Sequence, residues 1–172
     1  MPTLTEIVNH IVDKGNEMVT GSFPHEHFVL DFVAIFTKDE NEKNSLEHEI
    51  NNLGSIVHTT STGNIYRLTS PLETSAGKVF LIQLRNPDST RPQRGEPDFR
   101  VKDYEQFKHK YGQLPGMRLI ERPEYEMLEL RDPQSDVLVY FPNKPLGLEL
   151  GVDGQWRSYN FFTSAKYSMK IW

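Results

Sequence analysis

Apolar positions along the chain alternate between helical and strand spacing. Leu4, Ile7, Val8, Ile11 and Val12 fall at helical intervals behind a capping Thr3 or Thr5, with Asp13, Lys14 and Glu17 on the opposite face. This predicts an opening helix that ends near Gly15 or by Gly21. FVLDFVAIFT, rich in Val, Ile and Phe, is a run of strand length. Residues 39–44 then start a second helix, with Leu46, Ile50 and Leu53 as its apolar stripe and Gly54 as its stop. Three strand patterns follow: SIVHTTS, NIYRLTS after a Thr-Gly-Asn turn, and KVFLIQLR.

The same succession then returns. DFRVK reads as a short strand with Phe99 and Val101 on one face and Asp98 and Arg100 on the other. Asp103 caps a helix in which Tyr104, Phe107 and Tyr111 share a side and which Gly112 closes. MRLIERP, EYEMLELRD and DVLVYFP are strands, the last two joined by an Asp-Pro-Gln-Ser-Asp turn. The order β-α-β-β-β thus occurs twice, with residues 79–103 as the crossover. The predicted fold class is α+β: a helix over residues 1–22, module one over 23–90, module two over 91–145 and an aromatic C-terminal extension over 146–172, in one compact domain. The extension carries one further hairpin signal at Asp153-Gly154.

Composition narrows the possible chemistry. A length of 172 residues suits one domain with a real core, and 37 % hydrophobic and 25 % charged residues mark a soluble globular chain. A net charge of −5 argues against nucleic acid as a partner, which needs a basic face. The absence of cysteine excludes disulfides, thiolate metal sites and a cysteine nucleophile. The opening residues mix charges into their apolar positions, unlike a signal peptide, and no run approaches the roughly 18 apolar residues of a membrane span. A cytoplasmic protein is the expectation. No glycine-rich phosphate loop and no Gly-x-Ser-x-Gly elbow occurs.

Several groups carry two readings each. His25-Glu26-His27 alternates as metal ligands on a strand do, or is a solvated strand entry. Gln83 and Arg85 either line a pocket that takes a carboxylate or phosphate, or end an exposed strand. Asp98 and Arg100 are two poles of a ligand site, or a same-strand ion pair. Arg91 and Arg94 put two guanidiniums beside the crossover, where an anionic substrate docks or solvent surrounds scattered charge. Tyr140 and Tyr66 pack on the sheet, or present a phenol able to donate a proton. The tail aromatics, among them Trp156 and Trp172, cover one end of the sheet or form a homodimer surface.

Two tandem βαβββ modules resemble the vicinal oxygen chelate superfamily, which includes glyoxalase I, bleomycin-resistance proteins and extradiol dioxygenases. RDPQSDVLVYF resembles the family's Asp-Pro-x-Gly-Asn hairpin with its apolar strand, Asp132, Pro133 and Asp136 being in place and Ser135 standing where glycine is usual. PDFRVKDYEQFKHKYG resembles the strand and helix that open a module, and the joint IQLRNPDSTRPQRGEPDF is similar to that of the YecM-like branch. The resemblance spans roughly residues 27–145.

The resemblance implies a curved sheet whose concave face holds a divalent metal on the first and last strands of each module. On that mapping Asp31 (or Phe32), Gln83, Glu96 and Asp98 are the metal-ligand positions, and the glutamate expected in the final strand falls on Val139, which cannot bind metal. The implied activity is that of a metal-assisted lyase, isomerase or dioxygenase on a small oxygenated molecule. Its site set is Glu96, Arg100 and Tyr140 for catalysis and Arg85, Arg94 and Arg100 for substrate. A metal-free ligand-sequestering protein and a protein-interaction module with a degenerate site stand as alternatives.

Overall fold

The computed structural model describes residues 1–152. Its elements run α1 (Leu4–Ser22), β1 (Val29–Phe36), α2 (Glu40–Asn51), β2 (Gly54–Thr60), β3 (Gly63–Thr74), β4 (Gly77–Arg85), β5 (Gly95–Arg100), α3 (Tyr104–Tyr111), β6 (Met117–Glu121), β7 (Glu126–Arg131), β8 (Leu138–Pro142) and α4 (Leu146–Glu149). This is the doubled βαβββ order behind an N-terminal helix, an α+β fold. The strands form one eight-stranded mixed sheet in the order β2-β3-β4-β1-β5-β8-β7-β6. The hairpin signal at Asp153-Gly154 and the tail aromatics lie outside the described residues. No helix among the described residues is long and apolar enough to cross a membrane.

The sheet is built as two halves joined at their first strands. Within each half the first strand pairs in parallel with the last, β1 with β4 and β5 with β8. The halves meet where β1 and β5 run antiparallel, Phe32 opposite Asp98, Val33 opposite Pro97 and Ala34 opposite Glu96. A pseudo-two-fold axis therefore passes through the Val33–Pro97 pair. It relates Phe32 to Glu96, Ala34 to Asp98 and Gln83 to Tyr140, since Ala34 pairs with Gln83 as Asp98 pairs with Tyr140.

One face of the sheet is covered by helices. Leu4, Ile7, Val8, Ile11, Val12 and Val19 of α1 bury against Val33, Ile82, Phe99 and Val139. Phe23, Phe28, Phe107 and Phe141 add edge-to-face and tilted ring contacts with centroids 4.9–5.9 Å apart, which tie α3 to the end of α1. The Thr3–Glu6 capping box starts α1. The helix does not stop at Gly15 but continues to Ser22, because Gly15 is a contact and not a terminus. A β-carbon built there would lie 2.3 Å from Pro97 Cγ of β5, so the missing side chain is what lets the helix sit on the sheet.

The other face forms a trough. Phe32, Ala34, Phe36, Ile65, Leu81, Leu138 and Tyr140 line it, and Val152 of the C-terminal segment packs there too. Two expectations about faces are corrected, and β4 departs from simple alternation. Val79 packs on the helical side whereas Leu81 packs in the trough, at the point where the β3–β4 register shifts between Arg67 and Leu72, beside Pro71. Val139 likewise packs among the helices, and Leu138 and Tyr140 are the trough residues of β8. Its inability to bind metal therefore says nothing about the site. Leu53 lies beyond α2 and is exposed.

Replacing Gly15 by alanine should destabilise the protein by about 1–3 kcal/mol through overpacking against Pro97, although alanine normally favours a helix interior. Gly21→Ala, where no atom lies within 4 Å of the new methyl, should be neutral or stabilising. Urea denaturation of both variants checks the contrast.

Candidate functional site

The trough holds a cavity of about 950 Å³ walled by the β2–β3 and β6–β7 hairpins. Its floor is the central joint, where alternation along β5 turns Glu96 and Asp98 inward while Pro97 and Phe99 face the helices. Both carboxyls are buried, 4 % and 5 % exposed, and Glu96 Oε2 and Asp98 Oδ1 have no hydrogen-bond partner among the described residues. Burial pushes the Glu96 carboxyl up from its ordinary value of 4.5 to about 7, against the pull of Arg85, Arg91 and the Tyr140 hydroxyl. Burial, then the charges of Glu96 and Asp31, push Asp98 well up from its own ordinary value. The two carboxyls sit two residues apart on one strand face and titrate as a pair.

Cationic and phenolic groups surround this pair. Arg85 Nη1 lies 3.9 Å from Glu96 Oε1, and the Arg85 and Arg91 guanidiniums both stand over the Phe36 ring, 4.7 and 5.7 Å from its centroid. Opposite them, Tyr140 donates to Glu129 Oε2 at 2.9 Å, and Arg118 reaches the same carboxylate from the rim at 3.2 Å. Burial, then the charges of Glu96 and Glu129, raise the Tyr140 phenol above its ordinary range. Gln83 is anchored by its amide, which donates to the Thr60 and Thr62 hydroxyls at 3.1 and 3.2 Å.

Asp31 and Arg100 serve a different purpose from the one their positions implied. A bulge in β1 between Leu30 and Phe32 brings Asp31 against Arg100, which donates to it through Nε. The pair grips the C-terminal segment: the Gly147 amide donates to Asp31 Oδ2 at 3.0 Å, and Arg100 Nη2 donates to the Val152 carbonyl at 3.2 Å. Neither residue lines the main cavity. Arg94 is also absent from it, because its guanidinium forms a bidentate pair with buried Glu42 at 2.9 and 3.0 Å and donates to the Phe36 carbonyl. The crossover guanidinium that faces the cavity is Arg91. His25 and His27 lie outside the cavity lining, and Glu26 between them is held by Lys110 and Tyr111 at 2.9 and 2.7 Å.

The donors do not fit the divalent ion that the family resemblance implied. Among the described residues no three His, Asp or Glu side chains converge as a metal site. Asp31 is spent on Arg100 and Gly147, Gln83 points its amide nitrogen at two threonines, and the pseudo-symmetry mates of Glu96 and Asp98 are the apolar Phe32 and Ala34.

Sequence reasoning missed Glu129. The available signal was alternation in EYEMLELRD: with Leu128 and Leu130 facing the helices, Met127 and Glu129 face the trough, and the cross-strand partner of Glu129 is Tyr140.

No family model matches the chain, and neither does any curated protein sequence. Among solved structures it is similar to a chain described as "Structural Genomics, Protein EC4020", at 11 % identity and a TM-score of 0.58, over 87 % of this chain and 94 % of that one. It is also similar to a glyoxalase/bleomycin resistance protein/dioxygenase superfamily member from Vibrio splendidus 12B01, at 11 % identity and a TM-score of 0.41, over 68 % of this chain and 97 % of that one. At such identity the first likeness is one of fold, and no residue's role is carried over from either.

Two predictions follow from the buried charges. Arg100→Ala should cost about 3–5 kcal/mol, since it leaves Asp31 buried without its cation, whereas Asp31→Leu combined with Arg100→Met should recover most of the loss. Denaturation midpoints of the three proteins decide this. Glu96 has a folded pKa above its unfolded one, so the folded state holds the extra proton between about pH 4.5 and 7. Its favourable contribution is complete below that window and lost as pH rises through it, a change on the order of 3 kcal/mol. Stability profiles of Glu96→Gln and the parent protein should therefore diverge across this range and run parallel outside it.

Proposed function

We propose that the trough is a metal-independent site for a small, polar, oxygenated molecule, and that Glu96 is the group in it that exchanges a proton. The observation that carries this reading is that Glu96 and Asp98 line a cavity of about 950 Å³, each with one buried carboxyl oxygen left without a hydrogen-bond partner among the described residues. A buried polar atom left unpaired costs about 1–3 kcal/mol, which a ligand supplying the missing hydrogen bonds offsets. A carboxyl balanced near neutrality serves equally as acid or base at physiological pH, which is the condition for efficient proton transfer.

The surrounding groups fit such a role. Arg85 and Arg91 stabilise negative charge, on a bound molecule or developing during proton removal, in a setting where Phe36 limits their hydration. Tyr140 donates its proton to Glu129 and stands in the cavity lining beside Arg91. Gln83, fixed by two threonines, lies in the same lining. The reading departs from the metal-assisted chemistry of the resembling family because the oxygen donors here are paired elsewhere or isolated.

The test is a melting-curve screen of the untagged protein with small polar metabolites, and in parallel with a chelator and divalent cations. Small-molecule ligands should raise the melting temperature of the parent protein, and the Glu96→Gln substitution should abolish that rise, while chelator and cations leave it unchanged. Where a ligand is turned over, Glu96→Gln should slow turnover by about 10²–10⁴-fold. Stoichiometric metal in the purified protein, with melting lowered by the chelator, would overturn the reading.

A further inference from the structure

Taking this cavity as the ligand site, its charges specify more than polarity. Glu96 and Asp98 line the cavity at the middle of β5, each with one buried carboxyl oxygen that has no hydrogen-bond partner among the described residues, and such acceptors suit a ligand that brings several N–H donors and a positive charge. Directly beside them, Arg91 makes no ion pair among the described residues, and Arg85 approaches Glu96 only at 3.9 Å, beyond hydrogen-bonding distance. Both guanidiniums are packed on Phe36, so they are fixed in place and retain N–H groups for an oxyanion. An acidic pocket and a basic pocket therefore adjoin, and the 3.9 Å between Glu96 and Arg85 sets the separation of opposite charges that a ligand must match.

We infer that the cavity recognises a zwitterion whose ammonium and carboxylate are carried on one carbon, that is, a free α-amino acid, with the ammonium at Glu96 and Asp98 and the carboxylate at Arg85 and Arg91. Bound this way, the ligand's dipole lies antiparallel to the Glu96–Arg85 pair and gives each charge a near neighbour of opposite sign. A plain carboxylate leaves the two carboxyl oxygens unpaired, and a plain amine leaves Arg91 without an anion. A peptide places its two terminal charges too far apart for adjoining pockets. The rest of the cavity extends along the β6–β7 side, where Ile120, Met127 and Tyr125 lie among Arg118, Glu121 and Arg122, and it leaves room for a large side chain with an apolar body.

Occupancy also has a proton signature. Before a ligand arrives, burial keeps a proton on the carboxyl pair near neutral pH despite the pull of Arg85 and Arg91 on Glu96, and an added ammonium favours the ionised form. Binding at pH 7 therefore releases protons to the buffer, which a neutral hydroxyl-bearing ligand does not cause.

The experiment is isothermal titration calorimetry of the full chain with free amino acids, starting from phenylalanine, tyrosine, leucine and methionine. The tightest binder is then compared with its N-acetyl and carboxamide derivatives. Each derivative should bind at least tenfold more weakly than the parent amino acid, and the apparent enthalpy should differ between phosphate and Tris at pH 7 by the amount that proton release requires. In Glu96→Gln the penalty for N-acetylation should shrink, with Asp98 remaining, and in Arg91→Met the penalty for the carboxamide should shrink, with Arg85 remaining. Because the derivative series and the buffer comparison use the unaltered protein, the outcome does not depend on either variant folding. Saturable binding of simple carboxylates, amines or neutral molecules without preference for the zwitterion would overturn this inference and leave the small-molecule site standing. Absence of binding by any small molecule would overturn both.

Discussion

The antiparallel pairing of β1 with β5 is the constraint on which the molecule depends. Each of these strands is the first of its half, and each also pairs with the last strand of the same half, so the joint is the middle of the sheet. All eight residues of β1 are buried. Gly95 begins β5 because a β-carbon there would meet the Ala34 carbonyl oxygen at 2.3 Å. Pro97, with no N–H to give, lies opposite Val33, and the β5–β8 ladder beside it is correspondingly short. Close approach of backbone at the joint is what sets Glu96 and Asp98 on the trough floor and Pro97 under the helix.

Around this joint the two halves are alike in path and unlike in chemistry. The axis that relates them exchanges Phe32 and Ala34 with Glu96 and Asp98, and Gln83 with Tyr140. Module two supplies the ionisable floor, and module one supplies an apolar ceiling and the guanidinium of Arg85. This asymmetry makes the trough polar on one side of the axis, and it separates the molecule from a symmetric cage of oxygen ligands.

The order of elements was legible in the sequence because it rests on local physics. Helical spacing behind Thr3 and Asp103, and strand runs punctuated by Gly and Asn, survive in the fold almost unchanged. The orientation of individual side chains was less legible, because a single bulge reverses it. The shift beside Pro71 turned Val79 over, the bulge at Asp31 carried that residue to Arg100, and counting through the Asp132–Asp136 turn placed Val139 on the wrong side. The crossover loop shows the same limit. Arg91 and Arg94 look alike in sequence, yet Arg94 is claimed by Glu42 of α2 and Arg91 by the trough, a difference decided by contacts distant along the chain.

The clasp on Gly147 has a consequence for the order of assembly. Asp31 belongs to the first half and Arg100 to the second, and both are needed to hold the Gly147 amide and the Val152 carbonyl. A side chain at Gly147 would meet both at about 2.4–2.5 Å. The hydrogen-bonded clasp on the segment after β8 therefore cannot close on either half alone and needs β1 and β5 to be paired. Protection of the Gly147 amide from solvent exchange thus reports that the two halves have joined.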